Sequence, residues 1–174
     1  MDTIKLLIAD DHEIVRNGLR SIFECEDHFE IIGEASNGRD LVAKSLELLP
    51  DVVITDLKMP RMSGLEAARM IKAQKPSIRV VILTAYDEKN DVQQAIEVGV
   101  DGYMLKDTLP DELIKAVELV HKGYTCIFPS GAWESSAIHQ KWVQGAGEEE
   151  LTEREMEVYR LIAQNYSNQE IAKK

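Results

Sequence analysis

Cysteine is scarce in this chain, and long apolar runs are missing. The 174 residues include two cysteines, Cys25 and Cys126, which match no metal-binding spacing and make a poor disulfide framework. No run of about 18 apolar residues occurs, so we expect no membrane-spanning helix. The N-terminal residues also lack the basic and apolar segments of a signal peptide. These absences argue against disulfide-stapled and membrane-spanning proteins, and the expected compartment is the cytoplasm.

Basic residues are also in short supply. The chain has 20 Lys and Arg against 31 Asp and Glu, a net charge of -11, which argues against nucleic-acid binding on electrostatics alone. P-loop and Gly-x-Gly-x-x-Gly motifs are absent, which disfavours a nucleotide-binding enzyme. The four histidines (His12, His28, His121 and His139) have neither metal nor triad spacing, so none is assigned a catalytic role. His12 follows an acidic pair and is expected to face solvent.

Strand-like and helix-like segments alternate from residue 3 to about residue 123. The predicted strands are Ile4–Ala9, Glu30–Ala35, Val52–Thr55, Val80–Thr84 and Gly102–Leu105. Several are continuous apolar runs, as is typical of strands that are covered on both faces. Proline or glycine follows the helical segments between them, at positions 50, 76, 99 and 123, where it acts as a stop signal. This alternation predicts an α/β fold, a doubly wound parallel sheet with helices on both faces.

Polar residues stand where the predicted strands end. Asp10 and Asp11 follow the first strand, Asp56 follows the third, Thr84 closes the fourth and Lys106 follows the fifth. The carboxyl ends of parallel strands converge on one edge, where ligands bind. Three carboxylates, a hydroxyl and an ammonium on that edge suit a divalent cation and a phosphoryl group.

These residues resemble the receiver domain of two-component response regulators. The pattern is Asp-Asp, then Asp-x-x-Met-Pro-x-Met-x-Gly from Asp56 to Gly64, then Thr84, then Lys106. The resemblance implies a flavodoxin-like, five-stranded parallel sheet of order 2-1-3-4-5, with a receiver domain over residues 1–123. It also implies a signalling and transcription regulator and not an enzyme, although the receiver catalyses its own phosphorylation and dephosphorylation.

The resemblance assigns the acidic residues their roles. Asp56 would accept a phosphoryl group from a phosphohistidine on a cognate sensor histidine kinase or from a small acyl phosphate. Mg2+ (or Mn2+) would be held by Asp10, Asp11, Asp56 and the backbone carbonyl of Lys58. Lys58 and Tyr86 flank the site and are expected to tune dephosphorylation. An alternative interpretation makes Asp11 the N-cap of the following helix, and both roles are compatible.

The remaining family positions concern the switch. Lys106 would pair with a phosphoryl oxygen, and with the phosphoacceptor before phosphorylation. Thr84 would donate a hydrogen bond to the phosphoryl group, and Tyr103 would turn inward behind it; the alternative for Tyr103 is an ordinary half-buried strand tyrosine. Many receivers have a cis proline after the lysine, but here Asp107 follows, so we expect a trans peptide bond.

The last part of the chain differs from the first. Residues 124–150 are predicted to be a linker that is partly helical. From Leu151, two capping boxes and the sequence Leu-Thr-Glu-Arg-Glu resemble the start of a LuxR-type helix-turn-helix domain, which would place the chain among NarL/FixJ regulators. The recognition helix is absent from residues 151–174, and residues 148–174 have a net charge of -3. Promoter DNA is therefore an expected partner of a complete protein, not of this chain.

Three functions compete at this point. The first is a transcriptional response regulator that forms a homodimer when phosphorylated, with no membrane association. The second is a stand-alone receiver that acts as a phosphate sink or protein-binding switch. The third is an unrelated flavodoxin-like enzyme such as a phosphatase. That enzyme would need a second aspartate two residues after its nucleophile, where this chain has Lys58, so it ranks last.

Overall fold

A computed structural model describes residues 3–85 and 88–127, without the side chain of Lys89. Its strands are β1 (Ile4–Ala9), β2 (Phe29–Ala35), β3 (Val52–Thr55), β4 (Arg79–Thr84), β5 (Gly102–Leu105) and β6 (Cys126–Ile127). Its helices are α1 (Glu13–Phe23), α2 (Gly38–Leu48), α3 (Gly64–Gln74), α4 (Lys89–Val98) and α5 (Pro110–His121). The predicted linker beyond residue 127 and the predicted helix-turn-helix fragment, 151–174, lie outside the described residues.

All strand pairs in the sheet are parallel, and the strand order is β2-β1-β3-β4-β5-β6. The α/β prediction and the order of the first five strands are confirmed. The count of five is corrected to six, because β6 pairs with β5 beyond the predicted domain end at residue 123. A strand of two residues is too short to show a periodic pattern. It forms because the outer edge of β5 offers unpaired backbone groups, and Cys126 N–H donates to the Asp101 carbonyl at 2.8 Å.

Two hydrophobic cores lie on opposite faces of the sheet. One packs alternate strand residues such as Leu7 and Val53 against α2, α3 and α4. The other packs Leu6 and Ile54 against α1 and α5. Side chains of successive strand residues point to opposite faces, so each central strand must be apolar throughout, as the sequence is. The helices therefore cover the faces of the sheet and leave its two ends for polar groups.

The helices end where the stop signals predicted. Leu49, which has φ 49°, follows α2 and precedes Pro50. Gly99 closes α4 with φ 80°, a left-handed conformation that glycine adopts without steric cost. Within the described part of the chain, no helix combines the length and apolar character that crossing a membrane requires.

Candidate functional site

The end of β1 places two acidic side chains at the carboxyl edge of the sheet. Asp10 is almost fully buried, and its N–H donates to the Ala35 carbonyl of β2 at 3.2 Å. Asp11 follows outside the strand and is exposed. Helix α1 begins after them with His12, not Asp11, as the N-cap residue. The prediction of Asp11 as N-cap is therefore wrong, and the His12 N–H donates to the Asp10 carboxylate at 2.9 Å.

The end of β3 places Asp56 beside this pair. Its N–H donates to the Ala9 carbonyl of β1 at 2.8 Å. This hydrogen bond joins the end of β3 to the end of β1. Its carboxylate is 8% exposed, and Oδ1 accepts a hydrogen bond from the Leu57 N–H at 2.7 Å. Asp56 is consequently oriented by the backbone on one side and lies, mostly buried, at the sheet edge.

The loop after Asp56 is tightly folded, and Gly64 makes that possible. A Cβ atom at Gly64 would lie 1.8 Å from the Asp56 carbonyl oxygen, so no other residue fits without moving the loop. The Gly64 N–H donates to the Leu57 carbonyl at 2.9 Å. Ser63 then opens α3 with a capping box to Glu66. The last glycine of the sequence pattern is thus required by close backbone approach at the candidate phosphoacceptor.

Lys106 connects the acidic residues of the two strands. Its Nζ lies 2.6 Å from Asp10 Oδ2 and 2.9 Å from Asp56 Oδ2. Burial disfavours the charged ammonium, but hydrogen bonds from it to Asp10 and Asp56 outweigh burial and raise the pKa of Lys106 above its ordinary value. The described residues contain no cis peptide bond, which confirms the expected trans bond between Lys106 and Asp107.

The donor atoms at this edge suit a hard divalent cation. Ligand atoms of Asp10, Asp11, His12 and Asp56 all lie within 4.8 Å of one another. Three of the four are carboxylates, the ligand type that Mg2+ prefers, and one ammonium faces them. His12 is 65% exposed, as predicted, yet its Nδ1 lies 3.2 Å from Asp10 Oδ1 and 3.0 Å from Asp11 Oδ1. Sequence reasoning gave His12 no part in the cluster, although its place next to the aspartate pair was the available signal.

A family model for the response regulator receiver domain matches residues 6–118. The chain is also 41% identical over 170 residues to the response regulator protein VraR of Staphylococcus aureus, covering 98% of this chain and 80% of VraR. The chain belongs to the response regulators. Receiver domains bind Mg2+ at an acidic pocket, and Asp10, Asp11 and Asp56 form such a pocket here.

Solved structures agree with this assignment. A DNA-binding response regulator of the LuxR family from Staphylococcus aureus matches with a TM-score of 0.65 and 31% identity, over 68% of this chain and 98% of that one. The CheX–CheY–BeF3−–Mg2+ complex from Borrelia burgdorferi matches with a TM-score of 0.65 and 26% identity, over 68% of this chain and 90% of that one. The receiver fold therefore extends across the described residues.

The predicted switch residues lie on the neighbouring strands β4 and β5. Thr84 closes β4 and is fully buried, and its carbonyl accepts the Lys106 N–H at 2.9 Å. Tyr103 on β5 is also fully buried, so the half-buried alternative is wrong. Lys58 is exposed, with its ammonium 4.0 Å from the Glu88 carboxylate. The structure thus brings Asp56, the carboxylates of Asp10 and Asp11, and Lys106 together; Tyr86 lies outside the described residues.

Proposed function

We propose that this response regulator accepts a phosphoryl group on Asp56 in a Mg2+-dependent reaction and uses it to switch an output segment. The observation that carries the proposal is the position of the Asp56 carboxylate. One oxygen is fixed by a backbone N–H, while the other lies 2.9 Å from Lys106 Nζ, beside Asp10 and Asp11. Catalysis of phosphoryl transfer is mainly positioning and charge neutralisation. This cluster offers a nucleophilic carboxylate, a pocket for a cation and an ammonium for that purpose.

The transfer would form a mixed anhydride at Asp56. A carboxylate oxygen of Asp56 attacks the phosphorus of a phosphohistidine on a sensor kinase, or of an acyl phosphate. The bond from phosphorus to the donor nitrogen or oxygen breaks, and the donor leaves with the electron pair. Bound Mg2+ (or Mn2+) would supply charge neutralisation, held by Asp10, Asp11, Asp56 and the backbone carbonyl of Lys58.

Lys106 would exchange partners during this step. Before transfer its ammonium donates to Asp10 and Asp56. Afterwards a phosphoryl oxygen replaces the Asp56 oxygen that has become part of the anhydride, and the ammonium donates to it instead. The raised pKa of Lys106 keeps the group charged across the neutral range, so its electrostatic role needs no proton transfer. Lys58 and Tyr86 are proposed to tune the reverse reaction, hydrolysis of the anhydride.

The new charge would be sensed by Thr84 and Tyr103. Phosphorylation adds about 1.5 to 2 negative charges and strong acceptor oxygens, and it biases an existing equilibrium between two conformations. Thr84 would donate to a phosphoryl oxygen, and Tyr103 would occupy the space that Thr84 leaves. In the parallel register, Tyr103 pairs with Ile82 on β4 and with Ile127 on β6. Any movement of Tyr103 therefore acts next to the strand that leads into the C-terminal segment.

The proposed output is a LuxR-type DNA-binding unit. Support comes from the similarity to VraR and to a LuxR-family regulator, together with the capping boxes after Leu151. We propose a receiver over 1–123, to which β6 adds an edge strand, a linker over 124–150 and the start of the helix-turn-helix over 151–174. We also propose that phosphorylation promotes formation of a homodimer. Promoter DNA is the proposed partner of a chain that includes the recognition helix.

Intact-mass measurement with acetyl phosphate tests the proposed function. We expect the protein to gain one phosphoryl group when Mg2+ is present and none when EDTA replaces it. An Asp56→Ala variant should gain none in either buffer. An Asp51→Ala variant is a matched control, because Asp51 precedes the same strand at the opposite end of the sheet. Absence of a gain in the unchanged protein under every condition would reject the proposal.

A further inference from the structure

The backbone of Asp10 is held by contacts on both of its sides. Arg16 Nη1 donates to the Asp10 carbonyl oxygen at 2.7 Å. The N–H on the other side of Asp10 donates to Ala35 on β2. Asp11 itself belongs to neither β1 nor α1, and the peptide group that joins it to β1 is the one whose carbonyl Arg16 contacts.

Arg16 is itself fixed by a second contact. Its Nε donates to Glu34 Oε2 at 3.1 Å, with 16% of the Arg16 side chain exposed and 24% of the Glu34 side chain. Burial raises the pKa of Glu34, but hydrogen bonds from Arg20 and Arg16 outweigh it and lower that pKa below its ordinary value, so Glu34 stays ionised. Lys44 Nζ donates to the Glu34 backbone carbonyl at 2.5 Å. The guanidinium of Arg16 therefore has a rigid anchor on β2.

We propose that Arg16 is a positioning residue for the acidic pocket, with the Arg16–Glu34 pair holding the Asp10–Asp11 peptide so that both carboxylates face the cation. The inference rests on the proposed function, since it assigns Asp10 and Asp11 to Mg2+. Groups that orient metal ligands through a second contact control metal affinity strongly. Arg16 would do so through the backbone, without touching the cation.

Arg20 provides a matched control one turn further along α1. It also pairs with Glu34, and with Glu24, but no contact joins it to Asp10 in the described structure. Arg16→Gln and Arg20→Gln each remove one positive charge on the same helix. Loss of a positive charge near an acidic pocket should strengthen cation binding by Coulomb attraction alone. Positioning and long-range electrostatics therefore predict opposite signs for Arg16→Gln.

Calorimetric titration of the full chain with MgCl2 at 25 °C tests the inference. We expect Arg16→Gln to raise the Kd for Mg2+ about tenfold. Arg20→Gln should leave the Kd within about twofold of that of the unchanged protein. At saturating Mg2+, we expect acetyl phosphate to phosphorylate Arg16→Gln at the same rate as the unchanged protein. Glu34→Gln removes the partner of Arg16 instead of Arg16 itself, and we expect it to raise the Kd for Mg2+ as Arg16→Gln does. It serves as the second variant if Arg16→Gln does not fold, as judged by circular dichroism.

Equal Mg2+ affinities in the Arg16→Gln variant and the unchanged protein would overturn the inference. So would equal weakening in Arg16→Gln and Arg20→Gln, because that would indicate a general property of α1. If Arg16→Gln does not fold, an unchanged Kd in Glu34→Gln overturns it. Each of these results leaves the proposed function intact as long as the unchanged protein binds Mg2+ and is phosphorylated. Failure of the unchanged protein to bind Mg2+ would instead remove the proposed function, and the inference with it.

Discussion

The two ends of the sheet both contain a buried aspartate paired with a lysine, yet their charge balance is opposite. At the amino end, Asp101 accepts from Lys72 Nζ at 2.5 Å, Arg79 Nη1 at 3.0 Å and the Val80 N–H at 2.8 Å. One carboxylate there meets two cations. At the carboxyl end, three carboxylates lie together, and two of them, Asp10 and Asp56, share one ammonium, that of Lys106.

The difference separates a structural ion pair from a site prepared for a ligand. Asp101 accepts from three donors of the chain itself, two of them cationic, so its removal would leave two cations without their partner. The pocket around Asp56 holds more negative than positive charge, and an added cation would balance it. The same residue types thus form a structural ion pair at one end and, under the proposed function, a cation site at the other.

The largest expected effect is on stability at the amino end. Asp101→Asn removes the negative charge between Lys72 and Arg79 and leaves both cations without a counter-ion. Breaking a buried pair by removing one partner typically costs about 3–5 kcal/mol, and we expect about 3 kcal/mol because Arg79 is 35% exposed. Urea unfolding measures it, with exposed Glu47→Gln as the control. A cost below about 0.5 kcal/mol, the usual range for surface changes, would contradict the structural role.

Lysine replacements should respond differently to Mg2+ at the two ends. Lys106→Met leaves Asp10 and Asp56 without their ammonium, and we expect a cost of about 2 kcal/mol in EDTA. Saturating Mg2+ should restore part of it, because the cation replaces the lost positive charge. Lys72→Met should cost a similar amount in both buffers. Urea unfolding of the two variants with and without Mg2+ measures the difference. If Mg2+ stabilised both variants equally, the proposed difference between the two ends of the sheet would be contradicted.

Removing a carboxylate from the acidic pocket should stabilise the fold in EDTA, whereas Asp101→Asn should destabilise it. Asp11→Asn reduces repulsion in the cluster, and we expect a gain of about 0.5–1 kcal/mol in EDTA, the size of interactions between partly exposed charges. The same change should remove most of the stabilisation that Mg2+ gives the unchanged protein. Thermal unfolding in EDTA and in Mg2+ provides both values. A loss of stability in EDTA would mean that Asp11 is structural, as Asp101 is.

The smallest expected effect is the pH dependence of the Glu34 network. The pKa of Glu34 is lowered from 4.5, so its contribution is present above that value and is lost as pH falls through the lower, folded-state pKa. We expect the stability difference between the unchanged protein and Glu34→Gln to be about 0.4 kcal/mol at pH 6 and to shrink below pH about 4. Urea unfolding at several pH values tests this. A difference that stays constant down to pH 3 would contradict it.

Most of the fold could be predicted because its signals are local and strong. β1, β3 and β5 have the predicted bounds, and β2 and β4 each begin one residue earlier, at Phe29 and Arg79. Strands buried on both faces stand out as apolar runs. The two residues of β6 carry no such signal, because their strand conformation comes from pairing with the edge of β5.

The site was predictable as a set of residues but not as a network. Strand ends indicated Asp10, Asp56 and Lys106, since parallel strands bring their carboxyl ends together. Sequence alone could not show that His12 occupies the N-cap position of α1 and contacts the aspartates, because both depend on where the helix begins. Nor could it show the bond from Arg16 to the Asp10 carbonyl, which depends on how α1 packs beside β2.

Locating the phosphoryl group within the chain tests the central claim most directly. The full chain is incubated with acetyl phosphate and Mg2+, reduced with borohydride to convert the acyl phosphate to a stable alcohol, digested and sequenced by tandem mass spectrometry. The account predicts reduction at Asp56 and at no other aspartate. Reduction at Asp10, Asp11 or Asp101, or at no residue, would contradict the assignment of Asp56 as the phosphoacceptor.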